Sequence, residues 1–132
     1  MRLLLDTHVW LWRLLEPARL ARSAATILSD SASELYLSPI SVWETLVLAR
    51  KGRLELEPTP HLWVREALRR SSLKMAPLTH AIAIASEDLA DFGSNDPADR
   101  FLVATALEHD ASLVTADARM LEHGGIETIA AA

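Results

Sequence analysis

Residues 1–8 read Met1-Arg2-Leu3-Leu4-Leu5-Asp6-Thr7-His8, and the three successive leucines decide the fold class. A strand with one wet face alternates apolar and polar residues. An unbroken apolar run instead marks a short strand, Arg2 to Leu5, covered on both faces. Asp6 ends the run, and from His8 to Leu15 the pattern is helical. The chain then repeats this grammar. Short apolar runs at Leu35 to Leu37, Leu73 to Ala76, Ser112 to Val114 and Ile126 to Ile129 read as further strands. Between them lie helical patterns over Ala18 to Ser31, Ile40 to Lys51 (closed by Gly52), His61 to Arg70 and Thr79 to Leu89 (with Thr79 as cap). Asp96-Pro97 opens another helix that runs toward His109, and Arg119 to Glu122 forms a short last one. Strands joined through helices demand an α/β fold, a parallel sheet with helices on both faces. Ligands in such sheets sit beyond the carboxyl ends of the strands, where strand order reverses. Asp6 ends the first strand and Asp117 follows Leu113-Val114, so two carboxylates are expected at one rim.

At 132 residues, half of them hydrophobic, the chain reads as one domain spanning residues 1–132 with a core of its own. It has no cysteine, which excludes disulfides, thiolate zinc sites and cysteine nucleophiles. No apolar run approaches the ~18 residues of a membrane span, and Asp6 interrupts the N-terminal leucines too early for a signal peptide. A soluble, cytoplasmic protein is the expectation. The net charge of −5 argues against a generic nucleic-acid binder, but acids gathered to hold a cation distort that measure. The cations are skewed, with eleven arginines against Lys51 and Lys74. Arginine's planar fork fits phosphate oxygens in pairs, although surface charge accounts for such a count equally well.

Four acids stand out, each with a structural alternative. Asp6 and Asp117 are placed equally well to cap the helices that follow them. Glu44 shares a helix face with Ile40, Trp43, Val47 and Leu48, where an ionised carboxylate is costly unless a cation meets it. Its alternative is a capping box with Ser41 as the cap. Asp99 lies in line with Leu102, Val103 and Ala106, and also in the first turn of a helix capped by Asp96, where the helix dipole favours an acid. Oxygen-only ligands suit hard cations, so Mg²⁺ or Mn²⁺ is the expected guest and phosphodiester hydrolysis the expected chemistry. Other chemistries find little support. The histidines (8, 61, 80, 109 and 123) show no paired metal spacing, Gly52, Gly93, Gly124 and Gly125 fit no phosphate loop, and no serine elbow is present.

Leu5-Asp6-Thr7-His8-Val9-Trp10-Leu11-Trp12, Ser38-Pro39-Ile40-Ser41-Val42-Trp43-Glu44, Asp96-Pro97-Ala98-Asp99-Arg100 and Leu113-Val114-Thr115-Ala116-Asp117 together resemble the PIN domain, and more narrowly the VapC toxins of toxin–antitoxin pairs. The resemblance covers essentially the whole chain. It implies a three-layer α/β/α sandwich around a parallel sheet and an Mg²⁺- or Mn²⁺-dependent endoribonuclease. By motif position Asp6, Glu44, Asp99 and Asp117 are the catalytic, metal-holding acids. Thr115 is the supporting hydroxyl, and Asp96 lies just behind the ligands. Relatives often carry His-x-Asp-Pro ahead of the third acid, where this chain has Ser94-Asn95-Asp96-Pro97. The family also implies an RNA substrate, a homodimer and a VapB-like antitoxin that blocks the site.

Arg50, Lys51, Arg53 and Arg100, with Arg65, Arg69 and Arg70, are candidates to guide RNA phosphates, against the alternative of solvated helix faces. Trp10, Trp12, Trp43 and Trp63 read chiefly as core, with one or two available to an interface. Two rival functions deserve a test. A catalytically silent PIN-like scaffold would bind partners only. A phosphoacceptor receiver domain would need a lysine after a late strand, and none follows Lys74.

Overall fold

In the computed structural model, which describes residues 1–90, 94–122 and 125–132, the opening leucines form β1 (Arg2–Leu5) at the centre of the sheet. The other strands are β2 (Glu34–Leu37), β3 (Lys74–Met75), β4 (Ser112–Thr115) and β5 (Thr128–Ala130). They lie in the order β3-β2-β1-β4-β5 with every pair parallel. Leu4 is flanked by Tyr36 on one side and Leu113 on the other. The helices are α1 (Thr7–Leu15), α2 (Arg22–Ser29), α3 (Pro39–Arg50), α4 (Pro60–Arg70), α5 (His80–Glu87), α6 (Pro97–Glu108) and α7 (Ala118–Glu122). No helix among the described residues is long and apolar enough to cross a membrane. His123, Gly93 and Gly124 fall outside the described residues.

The leucines divide between two cores, as the two-residue period of a strand requires. Leu3 and Leu5 join Val9, Trp10 and Leu28 on one face of the sheet. Leu4 joins Leu113, Leu102, Val103, Ala106 and Met120 on the other. The three-layer α/β/α sandwich follows from this division. Chain order also reverses at β1: β2 and β3 extend the sheet to one side, β4 and β5 to the other. A crevice opens at the carboxyl ends of β1 and β4, and Asp6 and Asp117 stand at its lip.

Three boundaries differ from the sequence reading. The helix expected over Ala18 to Ser31 begins only at Arg22, after a single 3₁₀ turn at Pro17–Arg19. Its start is delayed because Ala21 is extended and its N–H donates to Ala131 O at 2.7 Å, tying this stretch to the end of β5. The last strand is displaced to Thr128–Ala130, since Thr128 pairs with Leu113 while Ile126 packs into the second core. β3 is only two residues long and exposed, an edge strand too short to recruit another chain.

Gly52 does close α3. Its φ of 73° is the left-handed conformation, Gly52 N–H donates to Ala49 O at 3.1 Å, and Arg53 N–H donates to Leu48 O at 3.0 Å. This double bond pattern is a Schellman ending, which turns the chain sharply between Lys51 and Arg53.

Candidate functional site

Asp6 leaves β1 and immediately caps α1, so its two oxygens have separate duties. Oδ1 accepts from Thr7 N–H at 2.8 Å, and Oδ2 accepts from the Thr115 hydroxyl at 2.6 Å. Capping and site membership therefore coexist in one buried side chain. Thr115, the last residue of β4, also accepts from Asp117 N–H at 3.0 Å, so one hydroxyl locks together the ends of both strands. His8 reinforces the arrangement. Its Nε2 accepts from Ala116 N–H at 3.0 Å, which leaves the ring proton on Nδ1, 3.6 Å from Asp6 Oδ2.

The capping-box alternative for Glu44 is overturned. Ser38 caps α3, accepting from Ile40 N–H at 3.1 Å, which puts Glu44 in the second turn. Its Oε1 accepts from the Thr7 hydroxyl at 2.6 Å, and Ser41 Oγ lies 2.9 Å from the same Thr7 oxygen. The expected apolar burial of this face is also corrected. Trp43 is 57% exposed, and the buried residues of α3 are Ser41 and Thr45. The stripe Trp43, Glu44, Val47 and Leu48 lines an open cleft instead. Burial pushes the Glu44 carboxyl above its ordinary range, with the charges of Asp6, Asp96 and Asp99 adding to the rise and the Thr7 bond opposing it.

Asp99 enters from the first turn of α6. Asp96 caps that helix, accepting from Ala98 N–H at 2.9 Å, with Pro97 in the tolerated first position. Asp99 Oδ2 accepts from the Ser94 hydroxyl at 2.6 Å. Its carboxyl is also raised, first by burial and then by Asp96, Asp6 and Asp117, against the Ser94 bond. Asp117 behaves oppositely. The Arg119 guanidinium grips both its oxygens, at 3.3 and 3.0 Å, and pulls its carboxyl below the ordinary range.

All four acids and Asp96 line one cleft of about 390 Å³, together with Lys51 and Arg53. A larger groove of about 520 Å³ between α1 and α4 borders none of the four. Among the described residues no three acidic or histidine side chains are already gathered into a metal cage. The donor set nonetheless fits a hard divalent cation. It consists of carboxylates from separate elements, and burial raises the proton affinity of two of them, Glu44 and Asp99.

The basic candidates separate. Lys51 and Arg53 border the cleft, whereas Arg50 is exposed and does not line it. Arg100 does not line this cleft and clamps the end of α5. Its guanidinium donates to Ser86 O at 3.1 Å and Leu89 O at 3.0 Å, at the end of α5. Arg69 and Arg70 both pair with Glu66 on α4, away from the acids. Trp10 is core, as expected, and Trp12 and Trp63 pack beside it. Sequence reasoning missed Thr7, Ser94 and Arg119 as partners of the acids. Thr7 follows Asp6 directly, the only signal that was there to be read. Ser94 and Arg119 stand five residues before Asp99 and two after Asp117, spacings that no helical rule flags.

Comparison with known proteins bears on the family and the fold. The PIN domain family model matches residues 3–126. Ribonuclease VapC22 of Mycobacterium tuberculosis is 34% identical over 120 residues, a match covering 91% of this chain and 90% of that protein. The fold superposes on FitAcB from Neisseria gonorrhoeae with a TM-score of 0.69 at 24% identity, over 97% of this chain and 96% of that one. It superposes on a toxin–antitoxin complex from Klebsiella pneumoniae with a TM-score of 0.68 at 21% identity, over 96% and 95% of the two chains. The chain belongs to the PIN domain family and, within it, to the VapC-type members.

Proposed function

We propose that this protein is a Mg²⁺- or Mn²⁺-dependent endoribonuclease, the toxin of a pair whose other member is a VapB-like antitoxin. One observation carries the reading: acids from β1, α3, α6 and the end of β4 share a single cleft with Lys51 and Arg53. The name of the Mycobacterium tuberculosis relative supports ribonuclease activity. The antitoxin partner is supported by structural neighbours that are toxin–antitoxin complexes.

Asp6, Glu44, Asp99 and Asp117 would hold the metal. A bound divalent cation acidifies water and stabilises the charge that develops on phosphorus during hydrolysis. The chain's own contribution is positional. Thr115, Thr7 and Ser94 fix the carboxylates of Asp6, Glu44 and Asp99, and Asp96 holds the start of α6 that carries Asp99. Lys51 and Arg53 draw the RNA backbone toward an otherwise repulsive acidic site. A homodimer would bring two such clefts together. Cleavage of total cellular RNA by the purified protein in Mg²⁺ or Mn²⁺, abolished by EDTA and by Asp99→Asn, is the expected result. Well-folded protein, free of antitoxin, that leaves several RNA sources intact would establish the silent scaffold instead.

A further inference from the structure

Arg119 holds an unusual position for a cation in a site read as a metal centre. Its Nη2 lies 3.0 Å from Asp117 Oδ2 and 3.7 Å from Asp99 Oδ2, so one nitrogen stands between two acids from separate elements. The Asp117 contact is local, only two residues away, and its backbone N–H donates to Asp117 Oδ1 at 2.9 Å as well. The Asp99 contact is different. It spans from α7 to the first turn of α6, and it reaches a carboxylate whose side chain is only 13% exposed. Asp99 is also crowded by the charges of Asp96, Asp6 and Asp117. A guanidinium there relieves part of that repulsion, as a divalent cation would.

We propose that Arg119 is a built-in rival of the metal: guanidinium and divalent cation compete for the Asp99 and Asp117 oxygens, and Arg119 must withdraw for the cation to be held. This rests on the reading of the four acids as a metal site. The arginine side chain is half exposed, so it has solvent to withdraw into, and the pair it breaks is weak enough for a divalent cation to displace. The site then avoids two failures. Its carboxylates are not left wholly unscreened, and it does not hold cations that bind carboxylates too weakly to expel a guanidinium.

Mn²⁺ binding by the full chain, read from the free Mn²⁺ signal in electron paramagnetic resonance, tests this in wild type, Arg119→Gln, Arg119→Lys and Asp99→Asn. Removing the guanidinium should tighten Mn²⁺ binding, on the order of fivefold, the scale of a half-exposed ion pair. Arg119→Lys, which keeps the charge but loses the fork, should fall between wild type and Arg119→Gln. Circular dichroism checks that each variant is folded. Unchanged or weaker binding in Arg119→Gln, with Asp99→Asn weakened, overturns the rivalry alone. Binding in Asp99→Asn as tight as in wild type overturns the metal-site reading and the rivalry with it.

Discussion

Replacing Thr115 with valine isolates the hydroxyl that joins the two strand ends. Valine keeps the branched shape, and Thr115 is fully buried, so no cavity opens and only the hydrogen bonds are lost. The first is donated to the Asp6 carboxylate at 2.6 Å, a bond to a charged group worth about 2 kcal/mol. The second is accepted from Asp117 N–H at 3.0 Å. That amide is only partly buried, so water meets some of its demand and the loss is about 1 kcal/mol. Thr115→Val should therefore destabilise the protein by about 3 kcal/mol, a large share of the roughly 5–15 kcal/mol typical of a domain. Urea unfolding reads this as a lower midpoint at unchanged slope. Thr115→Ser keeps the hydroxyl and should cost about 1 kcal/mol for its missing methyl. Loss of orientation at Asp6 should also weaken Mn²⁺ binding by ~10-fold or more, as removal of a ligand's supporting partner does. A cost below ~1 kcal/mol for valine, or an equal cost for serine, would refute the claim that this hydroxyl holds the site together.

The acids should respond to pH with opposite signs. The Glu44 and Asp99 carboxyls are raised above 4.5 and 3.8, so the stability they contribute is fully present below those values and is lost as pH rises through their folded values. Glu44→Gln and Asp99→Asn should consequently melt higher than wild type at pH 7 in EDTA. Asp117 is depressed below 3.8, so its contribution is present above that value and lost as pH falls through its folded one. Asp117→Asn should melt lower at pH 7, and melting shifts of the same sign in all three variants would contradict the assignment. Gly52→Ala meets no clash but forces φ of 73° on a side chain, so thermal unfolding should show a loss of about 1 kcal/mol, largely recovered by asparagine. Lys51→Ala and Arg53→Ala should each weaken RNA binding and lower the salt slope by ~1, while leaving Mn²⁺ affinity as it was; an unchanged slope would remove that residue from the RNA path.

The fold was legible wherever periodicity and chain position carry the information. Leu3-Leu4-Leu5 had to serve two cores, and the alternation of strands and helices required parallel pairing, from which the shared rim of Asp6 and Asp117 followed. The faces of α3 were not legible, because hydropathy inverted them. Ser41 and Thr45 are the buried residues of that helix, while Trp43 stands exposed. Thr45 can be buried because its hydroxyl donates to Ser41 O at 2.8 Å, and Ser41 Oγ meets Thr7. A polar residue whose partners come from its own helix or a neighbouring one costs little to bury, and no count of apolar side chains can see those partners.

Those hydroxyls also explain why the carboxylates remain suited to a cation. Asp6, Glu44 and Asp99 each accept one bond of 2.6 Å, from Thr115, Thr7 and Ser94 respectively. A lysine or arginine in any of these places would orient the acid equally well but cancel its charge. A hydroxyl fixes the oxygen and leaves the charge in place, within a cleft where burial makes that charge expensive. These three acids are therefore each positioned by a neutral donor. The fourth, Asp117, is paired with the half-exposed Arg119, where neutralisation is most easily undone. Charge left in place at Asp6 and Glu44, and reversibly screened by Arg119 at Asp117 and Asp99, is what a site needs if it is to bind a divalent cation strongly and still remain folded without one.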